Sequence, residues 1–209
     1  PKYHKKSGHD VFIITSEYAL NEKGELVKLD GDRAYIDDNG VQIYRLPVKS
    51  GKKRFKRFEG VYPLIERIRP DIIFCHGVQF FDVLQVVKYR KNHPEVKLYF
   101  DSHADYFNSA STFLSKHILH GLLWRYCARR ALPYAERFYG VLPARGDFLR
   151  ERYKLPEEKT KLLVMGADDE LVEAALKDEV RAQTRKDYGF TEDDFVVMTG
   201  GKIDPAGNL

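Results

Sequence analysis

"KLYFDSHADYFN", Lys97 to Asn108, decides how the chain is read. An apolar run, Val96 to Phe100, stops at Asp101, and Ser102, His103, Ala104 and Asp105 follow before two aromatics. A run this short, aromatic and without strict alternation reads as a strand of a parallel sheet, not as a helix. The same grammar recurs in "DVFIITS" (10–16), "DIIFCHG" (71–77), "RFYGVLPA" (137–144), "KLLVMGA" (161–167) and "DFVVMTGG" (194–201). Helical patterns lie between these runs. One apolar stripe holds Val61, Leu64, Ile65 and Ile68, and a second holds Phe80, Val83, Leu84 and Val87. A third, in the longest pattern, holds Leu114, Ile118, Leu122 and Tyr126, with Pro133 ending it. "RGDFLRERY" and "DELVEAALKDEVRAQTRKDYG" complete the helical set. Strand and helix in alternation predict an α/β, Rossmann-like domain with one mostly parallel sheet and helices on both faces.

One excursion, Glu17 to Pro47, breaks the rhythm. Within it "RAYIDDNGVQIYRL" predicts a hairpin, with Asn39-Gly40 suited to a type I′ turn. The basic run "KSGKKRFKR", Lys49 to Arg57, reads either as a solvated loop or as a contact for anionic lipid or a phosphorylated acceptor. No nucleic-acid module surrounds it.

Composition supports a packed core: 43% of residues are hydrophobic and 13% aromatic. The formal net charge of +4 permits acidic ligands without demanding them. Cys75 and Cys127 sit far apart in apolar segments and read as buried thiols of a reducing compartment, not as a disulfide framework. No apolar run approaches the roughly 20 residues that span a bilayer, and no signal peptide is seen. The chain opens on Pro1, so its natural N-terminus is expected upstream.

In open parallel sheets, ligands bind outside the carboxyl ends of the strands. His76 and Gly77, Asp101 and His103, Arg145, and Gly166 and Asp168 all fall at such ends. Asp101, His103 and Asp105 suit metal binding, acid–base chemistry or plain loop-making. A Walker A loop, a G-x-G-x-x-G loop and a G-x-S-x-G elbow are absent.

The order of these segments resembles family 4 glycosyltransferases, which have the GT-B fold. "KKSGHDVFIITS" resembles the end of their first helix and their second strand. "RPDIIFCHG" and "LYFDSHAD" resemble two further strands, the latter with its histidine-bearing loop. "KLLVMGADDE" resembles the turn before the crossing into the second domain, and "RKDYGFTEDDFVVMTGGKID" the entry into it. The resemblance implies an acceptor-side domain at 1–167, an interdomain connection at 168–193 and the start of a donor-binding domain at 194–209. It implies a retaining transfer from a nucleotide diphosphate sugar to a carbohydrate or lipid-linked acceptor, with neither metal nor cofactor.

His103 then faces the transferred sugar, with Asp101 and Asp105 fixing its tautomer or bonding the acceptor. His76, Gly77, Arg145, Gly166 and Asp168 bind substrate. Gly201 and Lys202 meet the donor phosphates, with lysine where the family has arginine. The family's next basic residue would fall near Gly207, within Ala206-Gly207-Asn208. The family's first strand, its glycine-rich loop and most of its first helix have no counterpart here, so a substitute strand or an oligomer is expected. A cytoplasmic protein, peripheral to the inner membrane surface through 49–57, completes this reading. A non-catalytic flavodoxin-like binding domain and a GT-B epimerase or phosphorylase are the alternatives.

Overall fold

The computed structural model describes residues 1–31, 33–51 and 55–198. The chain divides into two compact units, Pro1–Val164 and Met165–Leu209.

The first unit opens with helix α1 (Lys2–Lys6) and strand β1 (Phe12–Ser16). β1 pairs in parallel with β5 (Gln42–Leu46), which pairs antiparallel with β4 (Ala34–Ile36). Two small antiparallel pairs flank this sheet: β2 (Tyr18–Leu20) with β3 (Leu26–Lys28), and β6 (Val48–Ser50) with β7 (Arg57–Phe58). The β4–β5 hairpin forms as expected, but its turn is not type I′. That turn needs positive φ at both central residues; Gly40 has φ 74, whereas Asn39 is not left-handed. Instead the Asp37 carboxylate accepts the amides of Asn39 and Val41 at 3.0 and 2.8 Å and ties the connection locally.

The second, larger sheet is wholly parallel, in the order β11-β10-β9-β8: β8 (Ile72–His76), β9 (Lys97–Ser102), β10 (Arg137–Gly140) and β11 (Thr160–Leu162). Neighbouring parallel strands need crossover connections, which helices supply. α2 (Val61–Ile68) precedes β8, α3 (Val83–Asn92) joins β8 to β9, and α5 (Pro143–Tyr153) joins β10 to β11. Between β9 and β10 runs a wide π-helical segment, Ser115–Leu123, continued by α4 (Trp124–Ala131). Leu98, Phe100 and Phe138 on one sheet face pack with Val83, Val87, Trp124, Ala128, Phe148 and Leu149 in one buried cluster. Gly140 lets β10 approach the start of α5: a Cβ there would lie 2.7 Å from Gly146 Cα.

Four expectations change. β1 stands in a separate sheet: among the described residues β1 and β8 each have a strand neighbour on one side only, and no strand pairs between them. β11 takes only the start of the expected 161–167 run, and Phe80 precedes α3. The stripe Leu114, Ile118, Leu122, Tyr126 points outward. The same helix turns His120, Trp124, Cys127, Ala128 and Ala131 inward instead.

In the second unit the long helical pattern breaks into α6 (Asp169–Ala175) and α7 (Asp178–Asp187). The expected strand at 194–201 has no regular structure over 194–198, and its remainder lies outside the described residues. Both cysteines are free and buried, as their apolar context implies.

Candidate functional site

The parallel register builds the site. β8 and β9 pair so that His76 stands opposite Asp101. Side chains opposite one another in register share a face, and residues two apart do too. His103, just beyond the end of β9, is therefore carried to the same edge. His76 Nδ1 lies 2.8 Å from Asp101 Oδ2, and His103 Nε2 lies 3.4 Å from the same oxygen. The carboxylate is buried, with 5% of its side chain exposed, while the imidazoles of His76 and His103 are 77% and 50% exposed. Asp101 Oδ1 is buried with no hydrogen-bond partner. Beneath the cluster an aromatic layer continues the face: Phe74 is 5.3 Å from His76 ring to ring, and Tyr139 stacks near both Phe74 and Tyr99.

The electrostatics follow from this pairing. The hydrogen bond that His76 donates to Asp101 raises the pKa of His76 above its ordinary 6.5, against a smaller opposing effect of burial. For Asp101, burial is the largest single influence and pushes its pKa up. The hydrogen bond and charge of His76, together with those of His103, outweigh it, so the carboxyl stays below 3.8. Burial, with the Asp101 charge adding, pushes the neighbouring Cys75 thiol up to about 12, which leaves it inert as a nucleophile.

With Nδ1 turned to Asp101, His76 can present Nε2 outward. The arrangement can thus offer a cationic donor to a sugar oxygen or a phosphate. The donor atoms of His76, Asp101 and His103 all lie within 4.8 Å of one another, so this group could also gather a divalent cation. It differs from the Asp101–His103–Asp105 set that sequence spacing suggests, because His76 takes the place of Asp105.

Asp105 is engaged elsewhere. Its Oδ1 accepts the amides of Phe107 and Asn108 at 2.9 and 2.7 Å. Its Oδ2 receives Arg145 Nε at 3.4 Å. Asn108 closes the loop by donating to the His103 carbonyl at 2.7 Å. Asp105 and Arg145, at the start of α5, thus shape the loop that carries His103. Gly77, with φ 93, turns the chain immediately after His76, where a side chain would be strained. Asp168 caps α6 by accepting the Glu170 amide at 3.2 Å, and Gly166 lies two residues before it in the second unit. Gly201 and Lys202 lie outside the described residues.

In the basic run, residues 52–54 lie outside the description. Of the others, Lys56 Nζ sits 4.0 Å over the Tyr18 ring. Arg57 pairs at 3.3 Å with Asp82, which is 1% exposed. These two cations are therefore occupied within the fold. Arg57 and Asp82 border a polar cavity of about 360 Å³ lined also by Lys49, Ser50, Gly60 and Gln85. A buried chain, Gln79 Nε2 to Tyr153 Oη at 3.1 Å and Tyr153 Oη to His120 Nδ1 at 2.8 Å, was not legible in the sequence. Its members come from a loop and two helices far apart in the chain.

The family model of glycosyltransferase family 4 matches residues 2–171. Among curated protein sequences none matches the chain. A solved chain of sucrose-phosphate synthase from Thermosynechococcus elongatus is similar in fold, with a TM-score of 0.50 at 10% identity. The match covers 86% of this chain and 89% of that one.

Proposed function

Because the chain belongs to glycosyltransferase family 4, we propose that it supplies the acceptor-side half of an enzyme that moves a sugar from a nucleotide diphosphate sugar to a carbohydrate or lipid-linked acceptor, with retention of configuration. In this reading residues 1–167 form the acceptor-side domain, 168–193 the connection and 194–209 the entry to the donor half. Gly201 and Lys202 meet the donor phosphates there. Gly166 and Asp168 lie at the crossing.

One observation carries the proposal. The carboxyl ends of β8 and β9 gather two solvent-reaching imidazoles around one buried carboxylate. Transfer builds positive charge on the sugar and negative charge on the departing phosphate, and donors aimed at that charge stabilise the transition state. His103 is the group that orients the sugar or acceptor hydroxyl. Asp101 is the positioning residue that fixes the imidazoles, and His76 presents its outer nitrogen toward the acceptor. Asp105 and Arg145 hold the His103 loop, and Gly77 allows the chain to turn clear of the cleft. No step requires a metal.

The test uses an enzyme containing both halves. His103→Ala is expected to lower turnover by about 100-fold or more, with an unchanged melting temperature because the side chain is half exposed. Unimpaired turnover would remove His103 from the reaction. This chain alone is expected to bind nucleotide sugars no tighter than about millimolar, since positioning donor and acceptor together needs both walls of the cleft. Micromolar binding in calorimetry would move the donor site into the half assigned to the acceptor.

A further inference from the structure

The helix that runs from Ser115 through Ala131 exposes the wrong face for a solvated helix. Phe113, Leu114, Ile118, Leu122 and Tyr126 are between 43% and 78% exposed. Ile118 and Leu122 precede the buried His120 and Trp124 by two positions, roughly half a helical turn, so the stripe faces away from the core. The helix therefore has two apolar faces, one packed on the sheet and one facing out. A lone exposed leucine needs no explanation, but a continuous row four residues apart does.

The charge around the row is one-sided. From Tyr106 to Ala135 the sequence holds no Asp or Glu, while Lys116, Arg125, Arg129 and Arg130 are all exposed. Phe107, in the loop leading to the helix, is 91% exposed. Among the described residues no helix is long and apolar enough to cross a membrane. An apolar row on a helix that itself carries cations and no acid is instead the pattern of a helix lying in a bilayer surface, its apolar side chains among the acyl chains and its cations at anionic headgroups.

We propose that the Phe113–Tyr126 face docks this protein on an anionic phospholipid surface. This assigns the membrane contact to the outer face of this helix and not to the 49–57 run, where Arg57 is paired with the buried Asp82. The proposal does not depend on the transfer reaction. It does carry a geometric consequence, because the docked helix follows directly on the loop of His103.

Flotation of the full chain with vesicles tests it. Binding is expected to phosphatidylglycerol–phosphatidylcholine vesicles and not to pure phosphatidylcholine, and to weaken as salt rises. Ile118→Gln with Leu122→Gln should abolish flotation. Arg125→Gln and Arg130→Gln should each weaken it by roughly fivefold. Circular dichroism should show all variants folded, because every altered side chain is exposed. Failure of the wild-type chain to float, or equal flotation of the Ile118/Leu122 variant, would overturn the proposal. So would a dimer in light scattering that this variant converts to monomer, which would assign the face to a second copy.

Discussion

Glu17 and Asp101 occupy matching places in the mixed β1-β5-β4 sheet and the parallel four-stranded sheet, and their partners differ. Each is a buried carboxylate at the carboxyl end of a strand, 5% and 4% exposed. Glu17 directly follows β1. Its Oε1 accepts the Val48 amide at 3.1 Å, and its Oε2 lies 3.3 Å from Lys28 and 3.6 Å from Arg33. None of these partners changes charge near neutrality. Glu17 therefore ties β1, β3 and β6 together. Asp101 has two histidines for partners, and histidine titrates in that range. One carboxylate fastens a loop; the other creates a centre whose charge can move.

The sheets differ in the same sense. In the four-stranded sheet Leu98, Phe100 and Phe138 are essentially inaccessible, whereas no residue of β1 or β5 is fully buried. A parallel strand is stabilised by neighbours on its edges and by cover on its faces. Among the described residues β1 has one strand neighbour and partial cover.

The largest expected effect breaks this comparison if it fails. Phe100→Ala should lose about 3–5 kcal/mol by leaving a cavity in the packed cluster. Phe12→Ala, at a residue that is already 39% exposed, should lose only about 1–2 kcal/mol. Urea unfolding followed by the fluorescence of the single tryptophan, Trp124, reads both. Equal losses would mean that the smaller sheet is as firmly held as the larger one. Next in size is Gly140→Ala, which must push Gly146 aside at the β10–α5 contact. Overpacking of this kind should cost about 1–3 kcal/mol. An unchanged midpoint would show that α5 can retreat freely.

The larger sheet was readable in the sequence because its strands are short runs of branched and aromatic residues that end in polar groups, and that signal is local. The outward face of the Ser115–Ala131 helix was not. Periodicity finds the row of Leu114, Ile118, Leu122 and Tyr126, but it does not say which row meets the core. The buried row includes His120 and three residues as small as Cys127, Ala128 and Ala131, and so looks the less apolar. Asp101 was expected to fix an imidazole, yet the nearer one is His76, not His103. That pairing depends on the β8–β9 register, which no local pattern encodes. The role of Asp105 was half legible, since Asp followed by Asn three residues later is a loop-closing pattern.

A smaller effect concerns the loop that Glu17 fastens. Glu17→Gln keeps the shape but removes the charge that meets Lys28 and Arg33. Amide exchange should quicken at Leu29, which donates to the Glu17 carbonyl, and at Val48, which donates to its carboxylate. Amides of β9 and β10 should not change. The backbone bond to Val48 chiefly lowers the Glu17 pKa below 4.5. The stabilisation it contributes is therefore present above that value and is lost as pH falls through the lowered one. Exchange that quickens equally in both sheets would show that they open as one unit.

The smallest effect is a titration, and it addresses the Asp101 side of the comparison. The bond to Asp101 raises the His76 pKa. Its contribution is thus complete below about 6.5, the unfolded value, and disappears as pH rises through the folded value. The Asp101 pKa is lowered, so its own contribution is present above 3.8 and is lost only when pH falls through the lowered value. Between the lowered Asp101 value and the raised His76 value the charged pair is intact, and the outer nitrogen of His76 carries a proton. Nuclear magnetic resonance of the His76 ring should place its midpoint above 6.5. Asp101→Asn should move that midpoint down, because the burial that opposes the imidazolium then acts without the carboxylate. Glu17→Gln should leave it where it was. A midpoint unmoved by Asp101→Asn would mean that the carboxylate does not set the charge of the imidazole, and Asp101 would then be a fastening residue of the same kind as Glu17.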